Sequence, residues 1–81
     1  MDNEVTTTKK PTAQGGTLVW LARGTARVAI TINPTPLGWV VATDTNLDGL
    51  GYLAECFISG ADAVEAFHST LEGAAAHLGA L

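Results

Sequence analysis

Several features that stabilise or localise small proteins are scarce in this chain. Cys56 is the only cysteine, so no disulfide can form within the chain. No stretch approaches the ~20 consecutive apolar residues of a membrane-spanning helix. The N-terminus carries Asp2 and Glu4 in place of the basic region of a secretory signal. We therefore expect a soluble cytoplasmic protein with no membrane partner, in which Cys56 is a buried small hydrophobic residue.

Positive charge is absent from the last two thirds of the chain. The four bases all precede residue 28, and the acidic residues dominate after it, giving a net charge of −4. Affinity for nucleic acid comes mainly from Lys and Arg that neutralise phosphates, so we expect no direct binding to nucleic acid. An acidic surface suits a basic protein partner, a cation or simple solubility.

Hydrophobic patterning divides the chain into two parts. Residues 1–16 are polar and rich in Thr, Lys, Gln and Gly, which predicts a flexible N-terminal arm. Residues 17–81 form one predicted domain, with strands over Thr17–Ala22, Thr25–Asn33 and Trp39–Thr43. Pro34 and Pro36 should end the second strand, because proline cannot donate to a ladder. Leu50–Ser59 fits a strand better than a helix, although both patterns are present.

Apolar residues at steps of three and four predict a helix over Ala61–Leu81, with Ser59 as its N-cap and Gly79 as its stop. We therefore predict an α+β protein, a small antiparallel β-meander of three to four strands packed on one C-terminal α-helix. The predicted core consists of Leu18, Trp20, Val28, Ile30, Ile32, Val41, Phe57, Val64, Phe67, Leu71 and Leu78.

Residues 28–43 contain no charged side chain, although charge normally protects exposed sheet surfaces. One helix covers one face of a sheet, so this absence predicts a second face that is buried against another chain. The predicted interface residues are Ala29, Thr31, Trp39 and Val40. The preferred function is a non-catalytic protein-interaction or assembly protein, which either self-associates or docks in a larger complex.

A calcium-binding module is the first alternative. Asp44-Thr45-Asn46-Leu47-Asp48-Gly49, followed by Glu55, matches the calcium-loop pattern and resembles an EF-hand loop over twelve residues. In that pattern the side chains of Asp44, Asn46 and Asp48, the carbonyl of Leu50 and the carboxylate of Glu55 would supply the oxygen ligands. The competing interpretation is a hairpin turn, which favours the same residue types. Apart from calcium, no cofactor is indicated.

Glu65, His68 and Glu72 recur at steps of three and four and should share one acidic face of the helix. That spacing could present two carboxylates and an imidazole to a metal, but a solvated face explains it more simply. The sequence has no nucleophile motif and no phosphate-binding glycine loop. We expect no catalytic residues, no enzyme activity and no small-molecule substrate.

The third functional interpretation is a small acidic inhibitor of a basic partner, such as a toxin or a nucleic-acid-binding machine of the host. Gly51-Tyr52-Leu53-Ala54-Glu55-Cys56, followed by an acidic, alanine-rich helix, is similar to the hairpin and helix of HicB-like antitoxin domains over about thirty residues. The resemblance implies a domain that binds and blocks a small toxin. The strand that follows the helix in that family is missing here, as is a DNA-binding module.

Overall fold

In the residues that the structure describes, the fold consists of a five-stranded antiparallel sheet and one C-terminal helix. A computed structural model describes residues 4–47 and 53–81. The elements are β1 (Thr6–Pro11), β2 (Thr17–Arg23), β3 (Ala26–Thr35), β4 (Gly38–Thr45), β5 (Leu53–Phe57) and α1 (Gly60–Gly79). The strand order in the sheet is β1-β2-β3-β4-β5, so every strand pairs with its neighbour in sequence. This confirms an α+β meander with one C-terminal helix, with one strand more than the predicted maximum.

The additional strand lies in the segment that the sequence predicts to be an arm. β1 pairs with β2 from Thr6↔Ala22 to Pro11↔Thr17. At the turn between them, the Thr12 hydroxyl accepts a hydrogen bond from the Gly16 backbone N–H at 2.9 Å and donates one to the Asn33 side chain. All six β1 residues are exposed, so the strand has no apolar pattern that could reveal it in the sequence.

β3 is the central strand, and its alternation is the one that the sequence predicts. Val28, Ile30 and Ile32 are buried, while the residues between them are half-buried. The strand continues to Thr35, beyond the proline that the sequence predicts to end it, and Pro34 pairs with Trp39 of β4. β2 begins opposite Ile32, so its pairing with β3 does not reach Pro34. Pro34 therefore has a paired strand on one side only, and a missing N–H is tolerated at such an edge position.

The sheet has one face under α1, called here the helix face, and an opposite open face. The helix-face residues that are buried are Val19, Leu21, Val28, Ile30, Ile32 and Val41. Leu18 and Trp20, both predicted core residues, alternate with these residues and lie on the open face. The continuous apolar run of β2 therefore does not mark a strand buried on both faces, and Trp20 remains 37% exposed.

α1 begins close to its predicted start, but the helix residues that pack on the sheet differ slightly from the predicted core residues. The Asp62 backbone N–H donates to the Ser59 hydroxyl at 3.3 Å, which is an N-cap hydrogen bond. Ala63, Phe67 and Leu78 are the buried helix residues, whereas Val64, a predicted core residue, is 47% exposed. Ala63 is small enough to bring the first turn of the helix close to the sheet.

The C-terminal end of α1 is held by a residue from β2. The Arg23 Nη1 atom donates to the carbonyl oxygens of Leu78 at 2.8 Å and Gly79 at 2.9 Å. The last carbonyls of a helix have no partner within the helix, and they form its negative end. Arg23 therefore satisfies two of these carbonyls and complements the helix dipole. The helix ends at Gly79, the predicted stop, with Ala80 as its C-cap.

Candidate protein-interaction site

The predicted calcium ligands do not converge in the described residues. Asp44 pairs with Ala29 and lies on the open face, while Glu55 pairs with Val41 and lies on the helix face. The two carboxylates thus leave the sheet in opposite directions, since residues opposite each other in an antiparallel pair share a face. Asp48 and Leu50 lie outside the described residues.

Asn46, the third predicted side-chain ligand, is engaged in the sheet. Its Oδ1 atom accepts a hydrogen bond from the Arg27 backbone N–H at 2.8 Å, and its Nδ2 atom donates to the Thr25 carbonyl at 2.7 Å. The neighbouring Thr45 hydroxyl donates to the Arg27 carbonyl at 2.6 Å. These bonds fasten the end of β4 to the β2–β3 hairpin, which is a structural role.

The residues of the predicted acidic helix face, Glu65, His68 and Glu72, are all exposed. The His68 ring contacts the Phe67 ring edge-on, with the centroids 5.9 Å apart. Within the part of the chain that the structure describes, no three His, Cys, Asp or Glu side chains gather into a group that could hold a metal ion. The geometry of this helix face therefore supports a charged surface and gives no observation in favour of a metal site.

The structure divides the four predicted interface residues between the two faces of the sheet. Ala29, Thr31 and Val40 lie on the open face and are half-buried. Trp39 lies on the helix face, next to the first turn of α1, and a Cβ on Gly60 would be 3.1 Å from its Nε1 atom. Trp39 and Val40 are adjacent in one strand, so they cannot share a face, and the sequence prediction overlooks that alternation.

Trp20 is the largest side chain on the open face, and two cations flank it. The Lys10 Nζ atom lies 5.9 Å from the centroid of the Trp20 ring, and the Arg27 Cζ atom lies 6.0 Å from it. Both distances fall within the range of cation–π interactions. A shallow cavity of about 260 Å³ lies beside the ring, bounded also by Ala29 and Asp44. Because the sequence pattern predicts Trp20 to be a core residue, it gives no indication of this cluster.

The two edge strands of the sheet differ in their protection against pairing with another strand. β1 carries Lys9 and Lys10 and ends at Pro11, and lysine and proline are the residues by which natural proteins block sheet edges. β5 consists of Leu53, Ala54, Glu55, Cys56 and Phe57, with one charged side chain. Its first four residues are exposed, so the β5 edge is both accessible and largely apolar.

Exposed apolar side chains extend from the β5 edge to the end of the sheet near the start of α1. Ile58 is 92% exposed and Leu37, in the β3–β4 turn, is 89% exposed. Gly38 brings the turn close to β5: its φ is +148°, and a Cβ there would lie 2.2 Å from the Phe57 carbonyl oxygen. The interaction edge, as we call it, comprises β5, Ile58 and Leu37.

Cys56 lies within the interaction edge and is exposed. The prediction that it is a buried small hydrophobic residue is therefore wrong. Its neighbours in sequence, Phe57 and Ile58, suggest a core segment, but an edge strand has a neighbour on one side only and α1 covers only the helix face. Cys56 pairs with Val40 and faces the open side of the sheet.

Comparisons with known proteins assign no family to this fold and surface. No family model matches the chain, and no curated protein or solved structure matches it significantly. In the described ranges, 4–47 and 53–81, none of the helical structure combines the length and apolar character needed to span a bilayer.

Proposed function

We propose that this chain is a non-catalytic protein-interaction or assembly protein that binds through the interaction edge. The observation that carries the proposal is the contrast between the two edges of the sheet. β1 is closed by lysines and a proline, whereas β5 is exposed and largely apolar. An exposed strand offers unpaired backbone groups that add a strand from another protein, while the side chains beside it select that strand.

The exposed apolar residues support this role. Leu53 is 62% exposed, and Ile58 and Leu37 are still more exposed. Single exposed apolar residues are common on protein surfaces, but an apolar cluster beside an unpaired strand marks an interaction site or an aggregation hazard. The net charge of −4 keeps such a surface soluble until a partner covers it.

A pair of lysine variants tests the proposal. Ala54 in β5 and Thr8 in β1 are both exposed residues on the open face of edge strands. Ala54→Lys blocks the interaction edge and Thr8→Lys adds the same charge at the opposite edge. We expect self-association, or capture of a protein from an extract of the native host cells, to survive Thr8→Lys and to be lost with Ala54→Lys.

The readouts are sedimentation velocity for self-association and quantitative mass spectrometry for captured proteins. Circular dichroism verifies that both variants remain folded. The proposal is wrong if the wild-type protein stays monomeric and captures no protein that the Ala54→Lys variant fails to capture.

A further inference from the structure

We infer that the partner of the interaction edge is a second copy of this chain, whose β5 pairs antiparallel with the first about a two-fold axis beside Cys56. The inference rests on the proposed function and specifies its partner. Two five-stranded sheets then form one continuous sheet, with both helices on the same side. Antiparallel pairing of identical strands is self-complementary, because each strand offers the donors and acceptors that the other requires.

The blocked β1 edge limits this assembly to two copies. Once β5 is paired, each free end of the joined sheet is a β1 strand with Lys9, Lys10 and Pro11. Lysines on two β1 strands repel each other, and proline has no N–H to donate. A sheet with two open edges would extend into a filament, whereas a sheet with one open edge closes as a dimer.

The side chains select the register of the pairing. A two-fold axis perpendicular to the sheet requires one residue to lie opposite its own copy, and the candidates within β5 are Ala54, Glu55 and Cys56. Pairing centred on Glu55 places two carboxylates directly opposite each other, which is destabilising. Pairing centred on Cys56 moves the two Glu55 residues to diagonal positions, each opposite Phe57 of the other copy.

The same register covers the most exposed apolar side chain. With Cys56 at the centre, Ile58, which directly follows β5, comes to lie beside Ala54 of the second copy, so a large side chain meets a small one. Ile58 is 92% exposed in the single chain, and Ala54 is exposed as well. Pairing centred on Ala54 would leave Ile58 beyond the paired residues. The Cys56-centred register is thus the one that removes this apolar surface from water.

Sedimentation velocity gives the first test. One pair of short strands buries less than the ~1,200 Å² that separates transient from standard interfaces, so the dimer should be reversible between about 10 µM and 1 mM. We expect the sedimentation coefficient of the wild type and of Thr8→Lys to rise with concentration. For Ala54→Lys we expect the dissociation constant to rise at least about tenfold, because each copy carries lysine against Ile58 of the other.

Disulfide trapping gives the second test, which reads the register. Opposite residues in an antiparallel pair have Cα atoms about 4.5–5.5 Å apart, within the range that a disulfide spans. Copper phenanthroline, the oxidant, should therefore convert the wild type to a disulfide-linked dimer. Cys56→Ser should still associate but form no such dimer. In the double variant Ala54→Cys/Cys56→Ser the thiols are four residues out of register, about 14 Å apart, and should cross-link at least about tenfold more slowly.

Three experimental results would each contradict one part of the inference. A monomeric wild type throughout the concentration range refutes the second copy as partner, while the proposed function still stands if a captured protein depends on Ala54. Association that Ala54→Lys leaves unchanged means that another surface forms the dimer and refutes the inference. Faster cross-linking of the double variant Ala54→Cys/Cys56→Ser than of the wild type refutes the Cys56-centred register.

Discussion

Removing the Arg23 guanidinium should destabilise the whole fold, because this one group joins the second strand to the end of the helix. Its Nη1 atom donates to the Leu78 and Gly79 carbonyls at 2.8 and 2.9 Å. Arg23→Met keeps most of the aliphatic stem and removes both hydrogen bonds and the charge. The Gly79 carbonyl then depends on water, and the Leu78 carbonyl keeps the hydrogen bond from the Leu81 backbone N–H at 3.2 Å. The fully buried Leu78 side chain lies in the turn of the helix that loses this anchor.

The size of the effect follows from the geometry. A hydrogen bond from a charged donor contributes about 1.5–3 kcal/mol. Here one nitrogen serves both acceptors, and the bond to Leu78 is partly buried while the bond to Gly79 is exposed. We therefore expect a loss of about 2 kcal/mol, including the helix-dipole contribution of about 0.3–1 kcal/mol. An 81-residue domain has a stability of about 4–12 kcal/mol. At about 4–8 °C per kcal/mol, the melting temperature should fall by about 8–16 °C.

Arg27→Met is the matched control, since it makes the same change in charge and composition. The Arg27 side chain is exposed and lies over Trp20, a contact that contributes about 0.5–1 kcal/mol. Its backbone hydrogen bonds with Asn46 and Thr45 survive the substitution. Urea unfolding followed by circular dichroism measures both variants. If Arg23→Met costs no more than Arg27→Met, Arg23 does not act as a clamp on the helix.

Three further predictions concern the helix cap and the end of β4. Ser59→Ala should lower the free energy of unfolding by about 1 kcal/mol through loss of the N-cap. Ser69→Ala, which changes an exposed residue in mid-helix, should alter it by less than about 0.5 kcal/mol in the same urea titration. Asn46→Ala should lower the free energy of unfolding by about 1 kcal/mol, because two backbone groups of the β2–β3 hairpin lose a hydrogen-bond partner. An equal decrease for Asp44→Ala, which changes an exposed residue, would contradict that explanation. Calcium at about 1 mM should leave the melting temperature equal to that in chelator, since Asp44 and Glu55 lie on opposite faces; a calcium-dependent rise would restore the calcium-module alternative.

The sequence predicts those elements in which local pattern and tertiary environment agree. The alternation of Val28, Ile30 and Ile32 has period two, and α1 covers the face that they form. Ser59 is a good N-cap residue, and it caps the helix in the structure. These features depend on residues close together in sequence, so one chain without relatives is enough to reveal them.

Prediction fails where the outcome depends on pairing between strands. The run Leu18–Leu21 does not alternate, so only its pairing with β3, Leu21 opposite Val28, decides which side chains face the helix. β1 has no apolar pattern and is recognisable only from its hydrogen bonds to β2. The candidate site is missed for the same reason, because nothing in the sequence of β5 says that it lies at the edge of the sheet.

The order of strands in the sheet has a consequence for how the protein folds. Each strand pairs with the strand that precedes it, so most backbone pairing joins segments that are near each other along the chain. Such low contact order favours fast folding, since only short loops must close before pairing stabilises them. Hairpins can therefore accumulate in the order of synthesis, and β5, which follows the other four described strands in the chain, joins a sheet in which they have already paired.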